Sequence, residues 1–226
     1  ALQNLDVLFA VDRAGFVGSD GGTHCGVYDL SYLRCIPNMI IMAPSNEEEC
    51  KNMLYTGYLH NGPAVVRYPR GEGLGVKEND GYKNYEIGVS KEIHSGEKTV
   101  ILCFGSVIDV CKSVVDELNC SLIDMRFIKP IDKKAIISSA KKHSIIVTVE
   151  DNSVMGGAGS AVNEILMENN ISKEVINIGV PDIFFNHASR EEQLKESGIS
   201  KENIVNRIKN CLNNNLYDVN HSSNID

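Results

Sequence analysis

Several features that would settle the matter quickly are missing from this 226-residue chain, and each absence closes a line of interpretation. No run of about 18 apolar residues occurs, which excludes an ordinary transmembrane helix. Basic side chains are in deficit: 22 Lys and Arg face 30 Asp and Glu, a formal net charge of −8, so neither nucleic acid nor an anionic membrane is expected as a nonspecific partner. No Cys-x-x-Cys pair is present and the six histidines are scattered, so no metal site is predicted. The seven cysteines are odd in number and several sit inside apolar runs such as Ile101 to Phe104, as reduced core thiols would. Gly-x-Gly-x-x-Gly and P-loop spacings are also absent; Met155-Gly-Gly-Ala-Gly159 reads instead as a tight structural turn packed against a neighbour. The opening residues lack the basic flank and apolar core of a targeting peptide. They enter a strand almost at once, without an initiating Met, which suggests a fragment whose upstream sequence is missing.

What remains is alternation. Residues 1–75 read as a buried strand (Val7 to Val11), a glycine-rich loop, a helix (Asp29 to Cys35), a strand (Met39 to Met42), a helix (Asn46 to Leu59) and a strand (Ala64 to Arg67). Ser45, with Glu48 three positions on, is the expected cap of the second helix. Strands alternating with helices pair in parallel, so this is part of a doubly wound α/β sheet. Glycines and charges across 76–84 read as a linker. Residues 85–212 then form a second α/β domain with a mixed sheet. It begins with an expected hairpin of Tyr85 to Ile93 with Thr99 to Phe104 and closes with a helix, Lys201 to Leu212. The polar tail, residues 213–226, is expected to be disordered.

The loop from Asp12 to His24 carries the chemistry. It packs Arg13, Asp20 and His24 among glycines, at the carboxyl end of a strand, where open α/β sheets bind ligands. Arg13 suits a phosphate or carboxylate; Asp20 and His24, four residues apart, suit substrate hydroxyls and proton transfer. Arg70 lies just past the end of the strand that holds Arg67, after a proline. Parallel strands share a carboxyl edge, so Arg13 and Arg70 converge on one anion in the functional reading. In the alternative they are surface arginines paired with carboxylates, and the spacing leaves both open. Charges at Asp124, Arg126 and Lys129 read as salt-bridged interface residues, and His187, behind Phe184 and Phe185, as part of a contact with another domain or subunit. Cys25 reads as a pocket wall, and His60, His94, His143 and His221 as surface residues.

Together, Asp12 to Gly15, Asp20 to His24, Asp29 to Pro37, Met42 to Ser45, Arg67 to Gly71 and Met155 to Gly159 closely resemble the 1-deoxy-D-xylulose-5-phosphate synthase family of transketolase-like thiamine enzymes. The resemblance implies the second half of a pyrimidine-binding domain followed by a transketolase C-terminal domain. It implies a transferase that condenses pyruvate with D-glyceraldehyde 3-phosphate, losing carbon dioxide, for isoprenoid, thiamine and pyridoxal synthesis. Arg13 and Arg70 would then hold the acceptor phosphate, and Asp20 and His24 would face the acceptor and the cofactor-bound intermediates. Thiamine diphosphate and Mg2+ are the implied cofactors, but the Gly-Asp-Gly run followed by Asn-Asn that would hold them is absent. So is the upstream glutamate that activates the cofactor. These residues alone are therefore expected to be inactive, with the protein's own N-terminal domains and a second copy in a homodimer as partners. Alternatives are a transketolase, a 2-oxoacid dehydrogenase beta subunit, or a noncatalytic assembly module. Abundant Asn, Lys and Ile, taken with the resemblance, point to a bacterial cytoplasm or a plastid-derived, apicoplast-like organelle.

Overall fold

The computed structural model describes residues 1–77 and 79–222, with side chains described as far as Asn213. Two sheets organise the chain. The first has the order β1-β3-β2-β7, with β1 (Leu8–Val11), β3 (Ala64–Arg67) and β2 (Ile40–Met42) parallel and β7 (Phe127–Lys129) antiparallel to β2. The second has the order β4-β6-β5-β8-β9. In it β5 (Thr99–Phe104), β6 (Ser121–Asp124), β8 (Ile145–Ser153) and β9 (Glu174–Val180) run parallel, while β4 (Lys91–His94) is antiparallel to β6. Every residue of β5 and β8 is buried, as continuous β-branched runs covered on both faces require. Among the described residues seven α-helices flank the sheets: α1 (Asp29–Leu33), α2 (Glu47–Leu59), α3 (Ile108–Leu118), α4 (Lys133–Lys142), α5 (Ala158–Glu168), α6 (Arg190–Glu196) and α7 (Lys201–Ser222).

Several expectations are corrected. Among the described residues β1 pairs with β3 at one edge of the sheet, and Phe9 is 47% exposed there rather than buried. The N-cap of α2 is Asn46, whose side chain accepts from Glu49 N at 3.0 Å; the Ser45 hydroxyl is drawn away to Asp124 at 2.6 Å. The expected hairpin does not form. β5 is flanked by β6 and β8, so β4 crosses to the far edge of β6, and Gly96 tucks under the chain at Asn119 and Ser121 where a side chain would not fit. His143 is buried, its ring hydrogen-bonded to Ser121 Oγ and Ser139 O, rather than at the surface. α7 continues ten residues past Leu212 to Ser222, contrary to a tail disordered from 213. The last four residues, 223–226, lie outside the described residues, as does the side chain of His221. β7 and α6 had no counterpart in the sequence reading.

The two halves interlock. The described residues of 71–84 hold no regular element but run along α2: Glu47 accepts from Gly75 N, and the side-chain carbonyl of Asn52 from Lys83 N. Arg126 forks onto Glu49 of α2 with two 2.8 Å bonds and stacks 4.0 Å from the Tyr85 ring. Lys129 donates to the carbonyls of Arg34 and Ile36. The charges at 124, 126 and 129 thus lie in an interface as expected, but only Arg126 is salt-bridged there; Asp124 accepts from the Ser45 hydroxyl and Lys129 donates to backbone carbonyls.

Asp124 gives that interface a pH signature. Burial pushes its carboxyl up to about 6, against the pull of the Ser45 hydroxyl. A folded-state value above the unfolded 3.8 means that its contribution is fully present below pH about 4 and is lost as pH rises through about 6. The rise from 3.8 to about 6 corresponds to about 3 kcal/mol. Asp124→Asn keeps an acceptor for Arg126 N and carries no charge, so relative to wild type it is expected to gain stability between pH 4.5 and 8. Denaturant melts of both proteins across that range check this; curves that stay parallel would rule it out.

Candidate functional site

The loop leaving β1 is closed at its neck by backbone bonds. Gly15 N donates to Gly26 O at 2.9 Å, and Gly26 N is shared between Arg13 O and Gly15 O at 3.1 and 3.0 Å. Ala14 N adds a bond to Tyr68 O just past β3. Gly15 adopts φ +71°, and a side chain there would run into Asp151, so only glycine fits where the loop meets the second half of the chain.

Because β1 and β3 are parallel neighbours, Arg13 and Arg70 emerge at the same edge. Both reach Asp20: Arg70 Nη1 donates to Oδ1 at 3.0 Å, and Arg13 Nε lies 3.6 Å from Oδ2. Arg13 Nη1 also pairs with the neighbouring Asp12, while its Nε is buried without a hydrogen-bond partner. The guanidiniums are half-exposed. With both carboxylates counted the cluster is electrically balanced, so an arriving anion binds by taking donors now turned toward Asp12 and Asp20. His24 is on the same loop but not in this cluster: it is exposed and bonded to Thr23 Oγ1. Cys25 is half-buried against the apolar core beneath the loop, its thiol near Gly21 O at 3.5 Å.

Beneath the cluster lies a charged network that sequence reading missed. Arg67, 1% exposed, donates from Nε and Nη2 to both oxygens of Asp29 at 2.9 Å, from Nη1 to Asp151, and from Nη2 to Gly26 O at 2.9 Å. Asp151 also accepts from Ser106 Oγ at 2.9 Å, with Arg190 at 3.8 Å. Burial raises the Asp151 carboxyl, but Arg67 and Arg190 together hold it below its ordinary value. The network ties the end of β3, the start of α1 and the end of β8 to the neck of the loop. Its one sequence signal was a charged residue inside an otherwise apolar strand.

The glycine turn at 155–159 is filled from within. Both Glu150 oxygens accept amides of α5, Ala158 N at 2.8 Å and Gly159 N at 2.7 Å, so a protein carboxylate occupies that helix start. Gly159 sits against Thr148 and Asn177 too closely for a side chain. His187 packs its ring against Gly21 and, with Ala188, Glu192, Lys195 and Glu196, lines an open groove of about 670 Å³ beside the loop; none of Arg13, Asp20, His24 and Arg70 lines it. Among the described residues no group of three His, Cys, Asp or Glu is placed to hold a metal, and no helix is long and apolar enough to cross a membrane.

Comparison with known proteins bears on this geometry. Residues 1–74 match the transketolase pyrimidine-binding domain and residues 88–204 the transketolase C-terminal domain. The chain is 51% identical over 207 residues to the 1-deoxy-D-xylulose-5-phosphate synthase of Psychromonas ingrahamii, covering 89% of this chain and 33% of that protein. It is 50% identical over 212 residues to the Yersinia pseudotuberculosis synthase, covering 94% and 34%. It therefore spans about a third of the length of these curated relatives. Among solved structures, a split-gene transketolase described as an inactive beta4 tetramer superposes with a TM-score of 0.83 at 26% identity, over 94% of this chain and 69% of that one. The transketolase of Campylobacter jejuni shares the fold, with a TM-score of 0.67 at 19% identity over 90% of this chain and 31% of that one.

Proposed function

This chain belongs to the transketolase family, with its pyrimidine-binding and C-terminal domains in that order, and from that membership we propose that it is the acceptor-binding portion of a 1-deoxy-D-xylulose-5-phosphate synthase. The parent reaction joins the acetyl unit of pyruvate to the aldehyde carbon of D-glyceraldehyde 3-phosphate and releases carbon dioxide, on thiamine diphosphate with Mg2+. The observation that carries the reading is the meeting of Arg13 and Arg70 on one carboxylate at the shared carboxyl edge of β1 and β3. Two forked cations there match the three oxygens of a phosphate monoester. Asp20 holds both arginines in register before the phosphate arrives. His24, exposed on the same loop, is assigned in this reading to proton exchange with a bound hydroxyl or carbonyl.

The cofactor finds little to hold it here. The diphosphate-binding run is absent from the sequence, and no acidic or imidazole cluster suits a metal among the described residues. The chain made alone is therefore expected not to turn over, and its partners in this reading are the N-terminal domains of the same protein and a second copy. The split-gene transketolase chain, described as an inactive tetramer, is a precedent for such a piece assembling without activity. The bacterial relatives named above favour a bacterial cytoplasm over a plastid-derived organelle.

The test is Arg70→Ala in the intact protein. A charge-assisted hydrogen bond is worth about 1.5–3 kcal/mol, so the KM for the phosphorylated acceptor is expected to rise about 10- to 100-fold with the KM for pyruvate unchanged. An assembly module would show no change in either constant. Cleavage of ketose phosphates in place of pyruvate consumption would make the protein a transketolase.

A further inference from the structure

The loop bearing Arg13 and Asp20 is gripped from outside its own domain. The segment from Phe185 through α6 meets it at several points. Phe185 sets its ring edge-on to Phe16, 4.9 Å between centroids at 74°. The His187 ring stands where a side chain at Gly21 would be, and the backbone at Ala188 and Arg190 closes over Gly18. The decisive contact is Gln193, which is completely buried. Its Oε1 accepts from Gly18 N at 2.9 Å, while its Nε2 donates to Gly18 O at 3.4 Å and to Asn186 O at 2.9 Å. One primary amide thus engages both backbone groups of a single glycine, which a carboxylate or a hydrocarbon of the same length does not do.

Gly18 opens the 3₁₀ turn Gly18–Asp20, and Asp20 closes it. Fixing the first residue of a three-residue turn fixes the last, and Asp20 is the carboxylate on which Arg13 and Arg70 meet. We propose that Gln193 is a positioning residue: through Gly18 it sets Asp20, and through Asp20 the spacing of the two guanidiniums, so the geometry of the acceptor-phosphate site is dictated by the C-terminal domain. The functional half of this inference rests on the acceptor-binding reading above; the mechanical half does not.

The experiment uses the intact protein and two variants. Gln193→Met keeps the length and removes the amide. It is expected to speed hydrogen exchange locally, at the amides of residues 16–21, and to raise the KM for glyceraldehyde 3-phosphate about tenfold with the KM for pyruvate within about twofold, the size of effect that removing one buried hydrogen-bonding group produces. Gln193→Glu covers the case in which the methionine variant does not fold. Ionised, it has no donor for Gly18 O; protonated, it regains one, so its acceptor KM relative to wild type is expected to recover as pH falls. Unchanged exchange at 16–21, or both KM values rising together, overturns the proposal. So does a normal acceptor KM in Gln193→Met when Arg70→Ala has raised it. If exchange rises locally while neither Gln193→Met nor Arg70→Ala alters the acceptor KM, the acceptor reading fails and the mechanical grip stands.

Discussion

Replacing Arg67 with leucine is expected to lower the free energy of unfolding by about 3–5 kcal/mol, the usual consequence of removing one partner from a buried ion pair. The side chain is 1% exposed and lies between Asp29 and Asp151, which are 3% and 0% exposed. Leucine fills part of the volume but leaves the Asp151 carboxylate with only Arg190, 3.8 Å away, as a cation. It also strips a hydrogen bond from Gly26 O. The sign of the pH dependence follows from Asp151. In the wild type its carboxyl lies below the unfolded 3.8, so its contribution is present above that pH and is lost as pH falls through the folded value. Without Arg67 the burial of Asp151 acts unopposed by its main counter-charge, the carboxyl shifts upward, and the variant is relieved by protonation. The gap between wild type and variant should therefore be widest near neutrality and should close in acid. Urea melts at two pH values measure it; a loss under about 1 kcal/mol at neutral pH would mean that the three charges are not coupled as the geometry requires.

The second large effect is expected from Gly26→Ala. A β-carbon on Gly26 falls inside the carbonyl of Arg13, which is backbone and cannot swing aside. The neck of the loop must open, breaking the paired bonds with Gly15 and shifting the carbonyl that Arg67 holds. Arg13, held at φ +60°, then moves with the neck. Displacement of a substrate-positioning group by about 1 Å costs on the order of 100-fold in rate, and overpacking adds about 1–3 kcal/mol of instability. The intact protein carrying Gly26→Ala should therefore lose at least about 100-fold in kcat/KM for the phosphorylated acceptor. Wild-type kinetics in that variant would show that the neck tolerates the methyl and that Arg13 is not held by it.

Much of this arrangement was legible because it is local or follows from strand direction. Ala64–Arg67 and Ala158–Glu168 fall where their apolar patterns and flanking glycines place them. Arg13 and Arg70 meet because two parallel strands end at one edge, a consequence of alternation that needs no coordinates. What escaped was pairing at a distance. A five-residue connection between Ile93 and Thr99 satisfies the length of a hairpin and says nothing of β6, which outcompetes β5 for the edge of β4. Arg67 reads as a strand charge because its partners are 38 and 84 residues away. α6 is only seven residues long, too short for a periodic stripe, yet its capping box at Ser189 and Glu192 was in the sequence and marks its start. Following that signal would have brought Gln193 into view.

β7 contributes the fourth strand of the first sheet although it lies beyond the tether at 71–84, between two strands of the second sheet. The family boundaries drawn in sequence are therefore not seams in space. A protease that nicks the glycine-rich tether would yield two polypeptides on a denaturing gel but a single species by gel filtration, and recombinant truncation near residue 75 would leave the edge of β2 bare, with Ile41 and Met42 open to adventitious strand pairing.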